Sequence, residues 1–168
     1  MQNEFLRWPR VRQLTGLGLK KIAVFRQNDS YGQAGYDGVK RALAKAGLEP
    51  VAVGLVERNS VDVAAAVQAV TAAKPDAVVQ ISAYKSCAAF IRAARKAGYG
   101  GTFYNVSFVG TQALADELGK DGLGVVVSQV MPFPFSTTTP ISREYIDAVK
   151  RAGGDATPNY SSMEGYVC

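Results

Sequence analysis

The stretch from Lys20 to Gly35 has the sequence KKIAVFRQNDSYGQAG. Its first part, Ile22-Ala23-Val24-Phe25, is a short apolar run, which is typical of a strand covered on both faces. A polar loop follows, and then a helical pattern that ends at Gly47. The apolar face of that helix contains Tyr36, Val39, Leu43 and Ala46. The stretch therefore predicts a strand, a loop and a helix in succession.

The same unit repeats along the 168 residues of the chain. Further β-rich runs occupy residues 51–56, 77–81, 102–106 and 124–130. Amphipathic helical patterns occupy residues 63–70, 84–97, 111–118 and 142–152, and another begins near Asn159. Regular alternation of this kind predicts an α/β fold, a doubly wound and mostly parallel sheet sandwiched by helices.

Composition and charge argue against several classes of function. The chain has no histidine, which removes the commonest general base and the commonest metal ligand. Its two cysteines, Cys87 and Cys168, fit no zinc spacing, and Cys87 lies on an apolar helix face, where we expect it to be buried. The formal net charge is +5, but the basic residues are dispersed over predicted helices. We therefore expect no metal, no cofactor and no nucleic acid.

The sequence also does not match the motifs of a dinucleotide site or of a receiver domain. Gly32, Gly35 and Gly38 have the spacing G-x-x-G-x-x-G, whereas a dinucleotide site needs G-x-G-x-x-G directly after a strand. A phosphate-accepting receiver domain would need an aspartate after the third strand, where Ile81 is followed by Ser82. We interpret Asp29 as a turn residue or the N-cap of the following helix. The chain is therefore predicted not to be an enzyme, with a small receiver-like domain as an alternative.

Candidate site residues follow from the fold, because ligands of open parallel sheets bind beyond the carboxyl ends of the strands. Aromatic and hydroxyl groups dominate there, a combination that can pack an apolar side chain and hydrogen-bond a small polar head. The candidate ligand-binding residues are Tyr31, Ser82, Tyr84, Ser107 and Phe108. Phe133 and Phe135 follow the fifth run and are expected to pack locally or against a part of the protein outside this chain.

The segment from Lys20 to Gly35 resembles type I periplasmic binding proteins, specifically the family that binds the branched-chain amino acids leucine, isoleucine and valine. Residues 74–79, 90–99 and 161–166 resemble the same family in the same order. The resemblance implies two lobes that close on a small-molecule ligand, an amino acid or an analogue such as a small amide or acid. It further implies a periplasmic protein that docks on the membrane permease subunits of an ABC transporter.

Carried over by position, the resemblance assigns ligand contacts to Tyr31 and Tyr84. Ser107 falls near the position where amino-acid binders have an acidic residue for the ligand's ammonium group, and serine cannot supply that charge. The ligand is therefore expected to lack an α-amino group or to be held from another position.

The resemblance also implies that this chain is mainly the C-terminal lobe, without its N-terminal lobe. We predict a lead-in segment over residues 1–18, a ligand-binding lobe over 19–153, and a hinge crossover with the start of a truncated helix over 154–168. No secretory signal precedes the domain, which alone fits either a cytoplasmic protein or a fragment whose beginning is missing. Such a fragment is expected to bind its ligand weakly or not at all, and to self-associate through exposed apolar surface. The effector-binding domain of a sensor or transcription regulator is an alternative with the same fold.

Overall fold

The computed structural model describes residues 16–168. These divide into two compact units, and the boundary along the chain falls between Ser128 and Gln129. The first unit contains five strands: β1 (Ile22–Gln27), β2 (Ala52–Val56), β3 (Ala77–Ile81), β4 (Thr102–Asn105) and β5 (Val125–Val127). Its helices are α1 (Ser30–Ala44), α2 (Ala64–Ala72), α3 (Tyr84–Lys96) and α4 (Thr111–Leu118), with 3₁₀ turns at Ser107–Val109 and Gly119–Gly122. The second unit contains α5 (Pro140–Ala152) and α6 (Tyr160–Val167).

All strand pairs of the sheet are parallel, and their spatial order is β2-β1-β3-β4-β5. The chain therefore moves outward in one direction from β1 to β2 and in the other from β3 to β5. A switch of direction of this kind leaves a crevice at the carboxyl ends of the two strands where it occurs, here β1 and β3. The predicted parallel α/β fold is confirmed.

The sheet is covered by apolar residues on both faces. On one face, Ile22 and Val24 of β1 pack with Val39 and Leu43 of α1. On the other, Phe25 stacks on Phe90 of α3 with ring centroids 4.2 Å apart, in a cluster that also includes residues of α2 and α4. Side chains alternate between the faces along each strand, so strands covered on both sides need continuous apolar runs.

Helix α1 lies unusually close to the sheet, and its glycines allow this approach. A Cβ on Gly32 would lie 1.9 Å from the carbonyl oxygen of Gln27, and a Cβ on Gly35 would lie 2.5 Å from Cγ2 of Ile81. Neither space can hold a methyl group. Gly32 and Gly35, the first two glycines of the spacing that fits no dinucleotide site, are therefore explained by close packing of a helix against the strand ends.

Asp76 fastens the start of β1 to the start of β3. Its Oδ2 accepts hydrogen bonds from the backbone N–H groups of Lys20 and Lys21, each at 2.8 Å. These bonds stabilise the carboxylate and lower the pKa of Asp76. The Lys74-Pro75-Asp76 motif is thus explained by a structural contact at the edge of the sheet opposite the candidate site.

The second unit is held by helix caps and one buried tyrosine. Thr139 caps α5 by accepting from the N–H of Ser142, and Asn159 caps α6 by accepting from the N–H of Ser162. Tyr145, which is 2% exposed, accepts through its hydroxyl from the N–H of Asn159 at 2.9 Å. A single side chain of α5 therefore positions the start of α6.

Two predicted boundaries are wrong. The fifth strand covers only Val125–Val127 instead of residues 124–130, because its partner β4 ends at Asn105, which pairs with Val127. Helix α5 begins at Pro140, two residues before the predicted N-cap Ser142, because Thr139 is the cap and proline suits the first helical turn. Most of the predicted lead-in segment, residues 1–15, lies outside the described residues. Over residues 16–168, no helix has the length and apolar character needed to cross a membrane.

Candidate functional site

The candidate site lies at the carboxyl edge of the first unit, where three neighbouring strands end. Because the strands are parallel and adjacent in the order β1-β3-β4, the loops that follow them emerge at the same edge. The loop after β1 leads to Tyr31, the loop after β3 contains Ser82 and leads to Tyr84, and the loop after β4 contains Ser107 and Phe108. The fold thus places all five predicted residues at one edge.

Tyr31 and Phe108 are in direct contact. Their ring centroids are 6.4 Å apart and the rings meet edge to face, at 75°. Tyr31 is the second residue of α1 and is 38% exposed, and Phe108 is 65% exposed. Since β1 and β4 flank β3, this contact joins the loops on both sides of the β3 terminus. Two aromatic rings this exposed form an accessible apolar surface.

Tyr84 and Ser82 come from the central strand of the three. Tyr84 is the first residue of α3, is half-buried, and packs partly against the core. The Nζ of Lys85 lies 5.9 Å from the centroid of its ring. Ser82 is 1% exposed, and its Oγ has no hydrogen-bond partner among the described residues. Of the two, Tyr84 is the residue that offers exposed surface at this edge.

Ser107 begins the 3₁₀ turn that follows β4, and its carbonyl oxygen accepts from the N–H of Gly110 at 3.4 Å. The turn continues through exposed Phe108 to Val109, which is buried in the core. Gly110 then adopts φ 80°, a left-handed conformation that suits glycine, before α4 begins. Burial of Val109 therefore anchors the turn that presents Ser107 and Phe108.

The one carboxylate in the loop after β1, that of Asp29, is occupied in capping α1. It accepts from the N–H of Gly32 at 2.9 Å and from Nε2 of Gln27 at 2.5 Å. The hydrogen bond from Gly32, followed by that from Gln27, lowers the pKa of Asp29, so it stays ionised at neutral pH. The interpretation of Asp29 as an N-cap is confirmed. Tyr31 is consequently held two residues beyond a fixed helix start.

Two buried amides beside the site were missed by the sequence reasoning. Gln80 of β3 and Asn105 of β4 are register partners and are 0% and 1% exposed. Nε2 of Gln80 donates to the carbonyl of Cys87 at 3.4 Å, but Oε1 of Gln80 and both polar side-chain atoms of Asn105 have no partner among the described residues. A polar residue within an apolar strand run, as in Val78-Val79-Gln80-Ile81, was the available signal.

Cys87 does not belong to the site. It is fully buried in α3 among Phe90, Ile91 and Ala94, as predicted, and burial raises the pKa of its thiol far above the usual range. Within residues 16–168, no group of three or more histidine, cysteine, aspartate or glutamate side chains is placed to hold a metal ion.

The second unit has a feature of its own. An open groove of about 560 Å³ lies along α5 and α6, and its lining includes Tyr145, Val149, Asn159 and Tyr166. None of the five predicted ligand-binding residues lines it. Phe133 and Phe135 pack on each other with centroids 5.4 Å apart and remain more than half exposed, which confirms local packing for them.

Comparison with known proteins decides the family. The model of the periplasmic binding protein family matches residues 10–168, nearly the whole chain. The chain belongs to the periplasmic binding protein family. This is a family of solute-binding receptors. A candidate site made of aromatic, hydroxyl and amide groups is consistent with the chain's membership of such a family. No curated protein matches the chain.

Solved structures of the family agree with this assignment. The chain is 32% identical to a possible leucine/isoleucine/valine-binding protein from Rhodopirellula baltica SH 1, with a TM-score of 0.87 over 96% of this chain and 45% of that one. It is 26% identical to a substrate-binding periplasmic protein from Ralstonia solanacearum, with a TM-score of 0.88 over 98% of this chain and 47% of that one. An extracellular ligand-binding receptor from Verminephrobacter eiseniae ef01-2 is 25% identical, with a TM-score of 0.82 over 98% and 47%. The chain therefore spans slightly less than half the length of the structures that it matches.

Proposed function

We propose that this chain forms one half of the ligand-binding cleft in the substrate-binding component of an ABC transporter for amino acids or related small amides and acids. The observation on which the proposal depends is the contact of Tyr31 with Phe108 at the carboxyl edge of the sheet, where Tyr84 follows the strand between theirs. The likeness to a structure described as a possible leucine/isoleucine/valine-binding protein supports a small ligand of this size. From the resemblance to type I periplasmic binding proteins we also propose that residues 19–153 form the ligand-binding lobe and that residues 154–168 form the hinge crossover.

The proposed mechanism is closure around the ligand. Tyr31, Tyr84 and Phe108 would pack on the apolar part of the ligand, and Ser107 would hydrogen-bond its polar part. A second lobe would supply the remaining contacts. The ligand would therefore bind the closed arrangement more tightly than the open one and would shift the protein towards closure. The closed protein would then dock on the permease subunits at the periplasmic side of the membrane.

One half of a cleft should bind weakly. An affinity in the millimolar range corresponds to about −4 kcal/mol, roughly half of the binding free energy of a micromolar complex. We therefore expect leucine, isoleucine or valine to shift the backbone NMR resonances of residues 28–31, 82–85 and 106–110 of this chain when added at millimolar concentration. Resonances of α6 should stay unchanged.

Tyr84→Ala should abolish these shifts, because it removes the aromatic surface of the central loop. The matched control is Tyr166→Ala, which removes a tyrosine that is 43% exposed in the second unit. Equal effects of the two substitutions, or shifts confined to the groove of the second unit, would contradict the proposal. Chemical conversion of the ligand by this chain would contradict it as well.

A further inference from the structure

Two buried amide side chains lie next to each other in the sheet. Gln80 of β3 and Asn105 of β4 are 0% and 1% exposed, and they are register partners on neighbouring parallel strands. Register partners point to the same face of a sheet, and their strands are about 5 Å apart. Nε2 of Gln80 donates to the carbonyl oxygen of Cys87 in α3 at 3.4 Å, so this face is the one that α3 covers. The pair is therefore enclosed by the sheet and its helices.

The hydrogen-bonding capacity of this pair is largely unmet. Three of its polar atoms have no partner within residues 16–168, namely Oε1 of Gln80 and both Oδ1 and Nδ2 of Asn105. More than nine-tenths of buried polar groups in proteins are bonded to protein or to ordered water, because an unmet group loses its hydration without compensation. Three unmet atoms on one register pair therefore indicate a shared partner that is not a protein group.

The chemistry of the three atoms restricts what this partner is. It must both donate and accept, because the pair offers two acceptor oxygens and one donor NH₂ group. A cation would be repelled by the NH₂ group, and an anion by the two oxygens. Side chains no more than 1% exposed also leave no access for a solute as large as an amino acid. Water meets these requirements, and a buried water typically makes about three hydrogen bonds.

We propose that Gln80 and Asn105 bind at least one internal water molecule. The water accepts from Nδ2 of Asn105 and donates to Oε1 of Gln80, so it joins β4 to β3 and, through the Cys87 carbonyl, to α3. Strand β3 leads to Tyr84, and β4 leads to the turn at Ser107–Val109. The water therefore fixes the spacing of two strand ends beneath the candidate site, whatever ligand that site binds.

Water–protein NMR cross-peaks test the proposal on the 168-residue chain itself. The side-chain NH₂ protons of Gln80 and Asn105 should show cross-peaks to water with opposite signs in NOESY and ROESY spectra, which distinguishes a bound water from proton exchange. The exposed side chain of Gln68 in α2 is the control and should show no such peaks. Absence of the peaks from both buried amides overturns the proposal.

Neighbouring hydroxyl groups are the other source of such cross-peaks. Ser82 stands two residues beyond Gln80, and the N–H of Ser128 donates to the carbonyl of Asn105 at 3.1 Å. The peaks should therefore persist in the double variant Ser82→Ala/Ser128→Ala. Their loss in that variant would assign them to the hydroxyl protons and would overturn the proposal.

A double-mutant cycle gives a second readout. Asn105→Leu and Gln80→Met roughly keep the size of each side chain but remove its hydrogen-bonding atoms. Either change alone leaves the other amide without its shared partner, so the hydrogen-exchange protection of the β3 and β4 amides should fall roughly five- to hundredfold. The double variant leaves neither amide unmet and should return to within about threefold of the original chain.

Gln68→Met, at the exposed position in α2, is the matched control and should leave the protection unchanged. If both single variants gain protection, or if the two effects simply multiply in the double variant, the amides share no water and the proposal is overturned. The cross-peaks of the original chain decide the question if a variant does not fold.

Discussion

The close approach of α1 to β3 supports a quantitative prediction about Gly35. An added methyl group would lie 2.5 Å from Cγ2 and 2.8 Å from Cδ1 of Ile81, which is 2% exposed and cannot move into solvent. Overpacking of this kind costs about 1–3 kcal/mol. Alanine gains about 1 kcal/mol of helix propensity over glycine, so we expect Gly35→Ala to destabilise the first unit by about 1 kcal/mol net.

A double-mutant cycle isolates the contact. Ile81→Ala alone should cost about 2–5 kcal/mol, because it leaves a cavity. In the Gly35→Ala background the new methyl group occupies part of that cavity, so the double variant should be more stable than the sum of the two single changes by about 1–2 kcal/mol. The assay is native-state hydrogen exchange of the β1 and β3 amides, which reports on the first unit alone.

Gly165→Ala in α6 is the control, because a Cβ there meets no atom within 4 Å. It should stabilise its helix by about 0.5–1 kcal/mol. Additivity of Gly35→Ala and Ile81→Ala to within about 0.5 kcal/mol would refute the reasoning. It would mean that α1 does not lie this close to the sheet, and the position assigned to Tyr31 would then lose its support.

Three further predictions concern titration, reactivity and the second unit. Folding lowers the pKa of Asp76, so the contribution of this carboxylate to stability is complete above its unfolded pKa of about 3.9 and is lost as the pH falls through the folded value. Asp76→Asn should therefore lower the midpoint of urea unfolding at pH 7. The difference between the variant and the original chain should vanish in acid, below the folded pKa. A thiol reagent should modify exposed Cys168 in the native chain and reach buried Cys87 only after denaturation, which mass spectrometry would record, and rapid modification of both would be contrary to the structure. Tyr145→Phe should leave the N–H of Asn159 without its partner and destabilise the pairing of α5 with α6 by about 1–3 kcal/mol, measured by hydrogen exchange of α6; unchanged exchange would show that the bond contributes nothing.

Much of the candidate site could be predicted from the sequence, and the reasons are local. Asp29 was interpretable as a cap because a short acidic side chain before a helical pattern can accept from the first-turn N–H groups. Tyr31 and Tyr84 were candidates because each stands just beyond an apolar run, and parallel strands bring such positions to one edge. The start of α5 was misplaced because Thr139 and Ser142 are both good caps by type, and only the observed hydrogen bond distinguishes them.

Pairings between distant residues could not be predicted in this way. The contact of Tyr31 with Phe108 depends on the order of strands in the sheet. The sequence of an apolar run does not specify which other strand pairs with it. Ser82 and Tyr84 looked equivalent as candidates, yet one is enclosed and the other half-exposed, because exposure depends on how α3 packs over the end of β3.

The amino-acid sequence by itself determined the α/β class, the parallel sheet and the neutral character of the edge, because periodicity and composition are properties of adjacent residues. Only the tertiary structure decided that β1 and β3 lie side by side at the point where the chain reverses its direction across the sheet. It also decided that Gly32 and Gly35 serve close packing, and that the buried amides of Gln80 and Asn105 are register partners with unmet polar atoms. The physical reason is that strand order, burial and unmet hydrogen bonds depend on residues far apart in the chain.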